Sequence, residues 1–353
     1  MNQDYSSDTC QAYVEGSSTS YGYVPSFAAG VAFVTLFGFS MVAHTAQMAL
    51  LRSWWCAVFA IGCLVEILGW GARIWSNKCP YAQTPYLMQI TTLIIAPTFF
   101  TAGIYVLLGR LIRICGPQSS VLSPKLYLWI FCTCDIISLV VQAAGGGMAS
   151  SSGGAQNSSS SSNQTTGTHI MVGGIIFQLI SITVFVGFAA DFLWRVLKRS
   201  KSLVPKSRTM LALLAATALS VLLIYIRSIY RTIELMDGWT SSTMQNESLL
   251  IGLDGAMMVP AVLIYNLFHP SWMLAKIERN AQPIVNSQYM PSQNLPPFSI
   301  KYPIKNPLDP SENMFRPTAR KPRIIQLFKQ YEEYGQQEQR HGFFALQRVE
   351  PVT

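Results

Sequence analysis

Charge is scarce in this chain. Asp, Glu, Lys and Arg make up 12% of its 353 residues, about half of what a soluble protein carries. So few charges exclude an ordinary water-soluble domain. Residues 1–24 hold no Lys or Arg and no apolar centre, so no cleavable secretion signal is expected there. Period-two alternation of apolar and polar residues is absent, which argues against a membrane β-barrel. There is no Gly-rich phosphate loop ending in Lys, which excludes ATP hydrolysis by that route. Only four His are present, scattered as His44, His169, His269 and His341. A membrane zinc hydrolase needs several ligands converging on one metal, so neither a metal nor another cofactor is expected. The last apolar stretch, 249–268, has no Lys, which rules out a retinal Schiff base.

Hydrophobicity fills the space that charge leaves. Half the residues are hydrophobic and the mean hydropathy is +0.30. A bilayer-spanning helix needs roughly 20 mostly apolar residues. Seven such segments are readable, at about 25–50, 54–75, 86–113, 125–147, 169–195, 209–229 and 249–268. The expected fold is all-α: a polytopic membrane protein built as a seven-transmembrane helix bundle. Three regions follow. Residues 1–24 form a short outer segment, 25–270 the membrane domain, and 271–353 a mostly disordered tail with a candidate short helix over 324–339.

The net charge of +8 does not point to nucleic acid, because its distribution is one-sided. Arg195, Lys198, Arg199, Lys201, Lys206 and Arg208 crowd the fifth connection, and Arg110, Arg113 and Lys125 flank the third. Residues 1–24 and the fourth connection have no basic residue. Basic connections stay cytoplasmic, so the N-terminus is expected outside and the C-terminus in the cytoplasm. Three glycosylation sequons, at Asn157, Asn163 and Asn246, fall on the expected outer side or at its edge. Of seven cysteines, Cys10 and Cys79 fall outside, where oxidation is allowed. A disulfide between them would tie the N-terminal segment to the second connection. The fourth connection, 145–167, is almost all Gly, Ser, Asn, Gln and Thr. It reads as a flexible outer loop, with Gly145-Gly146-Gly147 ending the fourth helix. Gly173 and Gly174 read as a close-packing face on the fifth.

A charge facing lipid at mid-bilayer costs about 2.5–3.5 kcal/mol, so intramembrane charges must turn inward, pair or meet water. Glu66 and Arg73, seven residues apart, share one face of the second helix about 10 Å apart along its axis. The fourth helix carries Asp135, Ser138 and Gln142, the fifth Gln178, the sixth Arg227, Arg231 and Glu234, and the seventh Asp254. Two readings apply. The groups line a polar cavity that opens outward and narrows to Glu66 and Asp135, or they pair with one another and fix the bundle. Arg231 and Glu234, at i and i+3, suit a local pair, and Arg227 has the reach to snorkel to headgroups. Pro97 and Pro260 kink the third and seventh helices.

At these residues the chain resembles the fungal RTA-like family of lipid-translocating exporters, over about 21–271. The stretch Glu66-Ile67-Leu68-Gly69-Trp70-Gly71-Ala72-Arg73 resembles the family's acid-to-arginine motif. Ala96-Pro97, Ala102, Tyr105 and Gly109-Arg110 resemble its third helix, and Asp135, Ser138, Gln142 and the triple glycine its fourth. Gly174 and Gln178 fit the fifth, and Arg227, Tyr230-Arg231, Glu234 and Gly238 the sixth. Glu247, Asp254, Met258 and His269-Pro270 fit the seventh. Two positions depart: Ile251 stands where a tyrosine is expected, and Ser271 where a glycine usually follows His-Pro. The resemblance implies a plasma-membrane protein without enzymatic activity. Its partners would be membrane lipids or amphiphilic small molecules such as sphingoid long-chain bases, amino-sterols and other cationic amphiphiles, moved outward under drug or lipid stress. The rival reading is a receptor-like lipid sensor without transport. Against a G-protein receptor stand the missing acid before Arg110, the missing cysteine in the fourth connection, and the ending Tyr265-Asn266-Leu267-Phe268-His269-Pro270.

Overall fold

The computed structural model describes residues 10, 13–14, 19, 21–152, 158–198, 207–238 and 241–289, without the side chains of 117, 150–152, 158–164 and 281–289. Among the described residues, seven helices are long and apolar enough to cross a membrane. They are α1 (Phe27–Leu51), α2 (Ala57–Lys78), α3 (Gln83–Cys115), α4 (Pro124–Ser152), α5 (Ser158–Lys198), α6 (Arg208–Met236) and α7 (Glu247–Leu267). Consecutive helices pack against one another, α7 closes the ring on α1, and α3 also touches α5 and α6. α3 is therefore the most enclosed span. Its inward face carries Leu93, Phe100, Ile104 and Tyr105, all nearly sealed from solvent. Phe39, Val42, Ile136, Val140, Ile180 and Leu222 point outward and are well exposed, as expected of a surface that meets lipid rather than water. This is a multi-pass membrane protein.

Local chemistry sets the helix ends. The Ser26 hydroxyl accepts the Ala29 N–H at 3.4 Å and opens α1. Arg52, at φ 48°, closes it, with the Arg52 and Ser53 amides bonded back to the Ala49 and Met48 carbonyls. The Ser207 hydroxyl accepts the Met210 N–H at 3.1 Å and opens α6.

Four features differ from the sequence reading. First, the triple glycine does not end α4, which continues to Ser152, and α5 already begins at Ser158. The polar fourth connection is therefore helical on both sides of residues 153–157. Helix-to-helix contact overrides the low helix propensity of glycine here. A Cβ on Gly145 would lie 2.4 Å from the Met171 nitrogen and 2.7 Å from the Gly167 oxygen, so the two backbones touch. Second, Gly174 packs on Gln142 and Ser138, but Gly173 has nothing within 4 Å. Third, α7 is interrupted by a π turn over Ile251–Gly255. Fourth, the region after 270 starts with a helix, α8 (Pro270–Tyr289). Pro270 occupies its first position, where no N–H is needed, and Met273, Leu274 and Ile277 form a buried stripe. The sequence pattern was hidden by the neighbouring charges. Residues 324–339 and Asn157 lie outside the described residues, and the side chain of Asn163 is not described.

The glycines give a controlled comparison. Gly145→Val forces α4 off α5 and is expected to cost about 1–3 kcal/mol or more. Gly147→Ala enters open space and is expected to stabilise the helix by up to about 1 kcal/mol. Thermal denaturation in detergent checks both, and equal melting temperatures for the two variants would contradict the contact.

Candidate functional site: a buried charge network beside a polar cleft

Asp254 is the hub of the intramembrane charges. It sits in the π turn of α7, where the extra residue re-aims the side chains that follow; such bulges are frequent at functional sites. Its carboxylate is nearly sealed from solvent and takes two arginines from α6. Arg227 Nε donates to Oδ1, and Arg231 Nη2 donates to Oδ2 at 2.7 Å. Arg231 Nη1 also reaches Glu234 Oε2 at 2.6 Å, whose other oxygen accepts the Tyr230 hydroxyl at 2.8 Å. Two arginines thus face two carboxylates. Arg227 is turned inward, 4% exposed, so it does not snorkel.

Arg227 also explains Pro97. In a regular helix the N–H of residue 97 bonds the carbonyl of residue 93. Proline has no N–H, and the freed Leu93 carbonyl accepts from Arg227 Nη2 instead. The proline of α3 and the charge network of α6 and α7 are therefore one construction.

Arg73 is held separately, toward the end of the bundle where α1 begins. Its Nη2 donates to Glu247 Oε1 and to the Tyr23 hydroxyl, each at 2.8 Å. Its guanidinium carbon lies 5.6–5.9 Å from the ring centres of Tyr23, Tyr21 and Trp70, a cation–π cage. The N-terminal segment supplies two of these rings and is strapped down around them. Cys10 and Cys79 are disulfide-bonded, and Val14 N–H donates to the Tyr81 hydroxyl at 3.0 Å. The Tyr21 hydroxyl donates to Gln89 Oε1 at 2.7 Å, and Asn77 Nδ2 donates to the Pro25 carbonyl at 2.7 Å. Burial pushes the Tyr21 hydroxyl up from 10.0 to about 12, against the opposing pull of Ser76 and Arg73. A raised folded value means its stabilising contribution is intact below pH 10 and is lost as pH climbs through 12. Ultraviolet titration is expected to show a late-ionising class of tyrosines that includes Tyr21, with the strap loosening as Tyr21 titrates. Ionisation of every tyrosine near 10 would contradict this.

Of the described acids buried within the spans, two form no ion pair, Glu66 and Asp135. Glu66 is 1% exposed, and its Oε1 has no hydrogen-bond partner. It lies close enough to Asp254, Arg227 and Arg231 to feel their charges. Asp135 is 3% exposed and is served only by hydroxyls, Tyr105 at 3.0 Å and Thr101 at 3.3 Å, both on Oδ2. Asp135 lines a cleft between α3, α4, α5 and α6 together with Gln142, Gln178, Arg227 and Arg231. Gln142 donates to Gln178 at 2.9 Å, and Gln178 donates to the Thr98 hydroxyl at 3.4 Å. The open space is about 30 Å³, room for roughly two waters at ~10–15 Å³ each.

A family model described as RTA1 like protein matches residues 59–277. The chain belongs to the RTA1-like family. It is 30% identical over 295 residues to the sphingoid long-chain base transporter RSB1 of Saccharomyces cerevisiae (strain Lalvin EC1118 / Prise de mousse), covering 74% of this chain and 76% of that protein. It is 26% identical over 213 residues to protein RTA1 of S. cerevisiae (strain ATCC 204508 / S288c), covering 60% and 64%. It is 29% identical over 205 residues to protein RTM1 of S. cerevisiae, covering 58% and 63%. No solved structure matches the chain. The family match takes in the whole charge network from Glu66 to Asp254 and the buried stripe of α8 up to Ile277. The N-terminal strap lies outside it.

Against the sequence expectation of one vestibule, the structure separates the groups. Asp135, Gln142, Gln178, Arg227 and Arg231 line the cleft; Glu66, Arg73, Glu234 and Asp254 do not. Arg73 pairs with Glu247. Sequence reasoning missed Thr98, Thr101, Gln89, Tyr21 and Tyr23. Their signals were thin: two hydroxyls one and four places after Pro97, a glutamine in an apolar run, and an aromatic pair just before the first span.

Proposed function

We propose that this protein moves amphiphiles with a cationic or strongly polar head across the membrane, with sphingoid long-chain bases as the leading candidates. One observation carries the reading. Asp135 is a buried carboxyl beside a cleft, bonded only by hydroxyls, and so it is open to a substrate cation. In this reading the ammonium head meets Asp135, the amide pair Gln142–Gln178 binds the adjoining hydroxyls, and the chain lies among Ile175, Leu179 and Ile182. The name of the RSB1 relative supports the substrate class. Glu66, Arg73, Glu234 and Asp254 act on the same path as its gate, because the charge network must shift for a space of about 30 Å³ to admit a lipid. Pro97 and the π turn of α7 are the places where α3 and α7 can yield.

The same reading puts the N-terminus outside, the C-terminus in the cytoplasm and the protein in the plasma membrane, moving substrate outward without enzymatic chemistry. The Cys10–Cys79 disulfide suits an oxidising compartment. Asn246 is exposed at the same end of the bundle and stands with Asn157 and Asn163 as a glycan site, while Arg110, Arg113, Lys125, Arg195, Lys198 and Arg208 fall at the opposite ends of their helices. The tight cleft favours a second reading, a sensor that binds a headgroup without passing the lipid.

Purified protein in vesicles separates the two. Transport predicts that labelled sphinganine crosses protein-containing vesicles several times faster than empty ones, while ceramide, which has no cation, does not. Binding of sphinganine without faster crossing would leave the sensor reading.

A further inference from the structure

A second cleft lies at the other end of the bundle from the strap. It opens between the last turns of α3 and the first turns of α4, with about 170 Å³ of open space. The two helices meet closely at Gly109, where a Cβ would come within 3.1 Å of the Pro124 carbonyl oxygen. Arg110, Arg113 and Lys125 line the cleft, and no Asp or Glu does. The Arg110 guanidinium rests over the Trp55 ring at 4.6 Å. Glu278 of α8 is near enough to attract Arg110 but is not part of the lining. The positive end of the α4 dipole falls at the same place. On the flank, Leu128 and Trp129 are 36% and 72% exposed, on a membrane-spanning helix where exposure means contact with lipid.

We propose that this cleft binds the headgroup phosphate of an anionic glycerophospholipid, with its acyl chains along Leu128 and Trp129. Three cations lining one pocket, with no acid in that lining, suit an anion. The apolar flank suits a lipid rather than free phosphate, and basic pockets between spans at a positively charged membrane face are a recurrent lipid site. Simple snorkelling would account for scattered cations, but not for three drawn around a cleft where α3 and α4 meet closely at Gly109. The site is also joined to the first cleft. Tyr105 lines this one and donates to Asp135 in the other at 3.0 Å. An occupying lipid would brace the α3–α4 contact that positions that bond.

The test uses the full chain in neutral detergent, titrated with dioctanoyl phosphatidylserine, dioctanoyl phosphatidylcholine and inorganic phosphate. Phosphatidylserine is expected to bind at least about tenfold more tightly than the other two, with affinity falling as salt rises. Arg113→Gln and Lys125→Gln, both at exposed positions, are each expected to weaken it about fivefold. Trp129→Ala is expected to weaken phosphatidylserine and leave any phosphate binding unchanged. Equal binding of the two lipids, phosphate binding as tightly as phosphatidylserine, or affinities unmoved by the two charge variants would overturn the proposal. If the variants fold poorly, the salt dependence of the unaltered protein decides it: a flat profile rejects the site.

Discussion

Asp254→Ala is expected to be the most damaging single substitution in the membrane domain. It leaves Arg227 and half of Arg231's bonds without a counter-charge in a site sealed from water. Breaking a buried ion pair from one side costs about 3–5 kcal/mol, enough to exhaust the stability of many proteins. Folded protein recovered from membranes should fall severalfold or vanish. The double change Asp254→Leu with Arg227→Leu restores charge balance, because Arg231 keeps Glu234 at 2.6 Å. It should recover much of the folded yield while leaving transport absent, since Arg227 also lines the cleft and holds the Leu93 carbonyl. Yields measured by size-exclusion chromatography check this. Normal yield for Asp254→Ala, or no recovery in the double variant, would mean the network does not hold the bundle.

Asp135→Asn should behave in the opposite way. The amide still accepts the Tyr105 and Thr101 hydroxyl bonds at nearly the same shape, and no cation is left unpaired. Folding and abundance are expected to stay near normal. Transport of a cationic amphiphile should drop by about tenfold or more, corresponding to the roughly 1.5–3 kcal/mol of a charge-assisted hydrogen bond. Glu66→Gln tests the second lone acid. If Glu66 lies on the path, its loss also lowers transport at normal abundance; if it is only a packing element, transport is unchanged. Growth in the presence of sphinganine, with surface abundance measured in parallel, distinguishes these outcomes.

Much of the fold was legible in the sequence because the bilayer imposes length and composition together. The seven spans fall within a few residues of their expected positions at most ends, as at Leu50 against Leu51 and Leu249 against Glu247. Failures arose where tertiary contact overrode local preference. Gly145 reads as a helix stop by propensity, yet in contact with Met171 and Gly167 it is a packing surface. The π turn at Ile251–Gly255 has no composition signal. The start of α8 was masked by the Lys and Glu that share its polar face. At the site, sequence reasoning could nominate residues because charge within a span is costly, and it nominated Glu66, Arg73, Asp135, Arg227, Arg231, Glu234 and Asp254. Beyond the local pair of Arg231 with Glu234, which the structure shows at 2.6 Å, it could not pair them. Which acid meets which arginine depends on helix rotation, and only the structure shows Arg73 with Glu247 and Asp135 with hydroxyls. Neutral partners such as Thr98, Thr101 and Gln89 carry no cost that marks them in advance.

Photolabelling addresses the cleft most directly. A sphinganine analogue with a photoreactive group near its ammonium head is irradiated with the protein in vesicles, and the modified peptides are mapped. Labelling should concentrate on 97–105 of α3, 135–142 of α4 and 175–182 of α5. Excess unlabelled sphinganine should suppress it, and so should Asp135→Asn. Labels confined to the lipid-facing Phe39, Val140 and Leu222, and indifferent to both treatments, would contradict a headgroup site at Asp135.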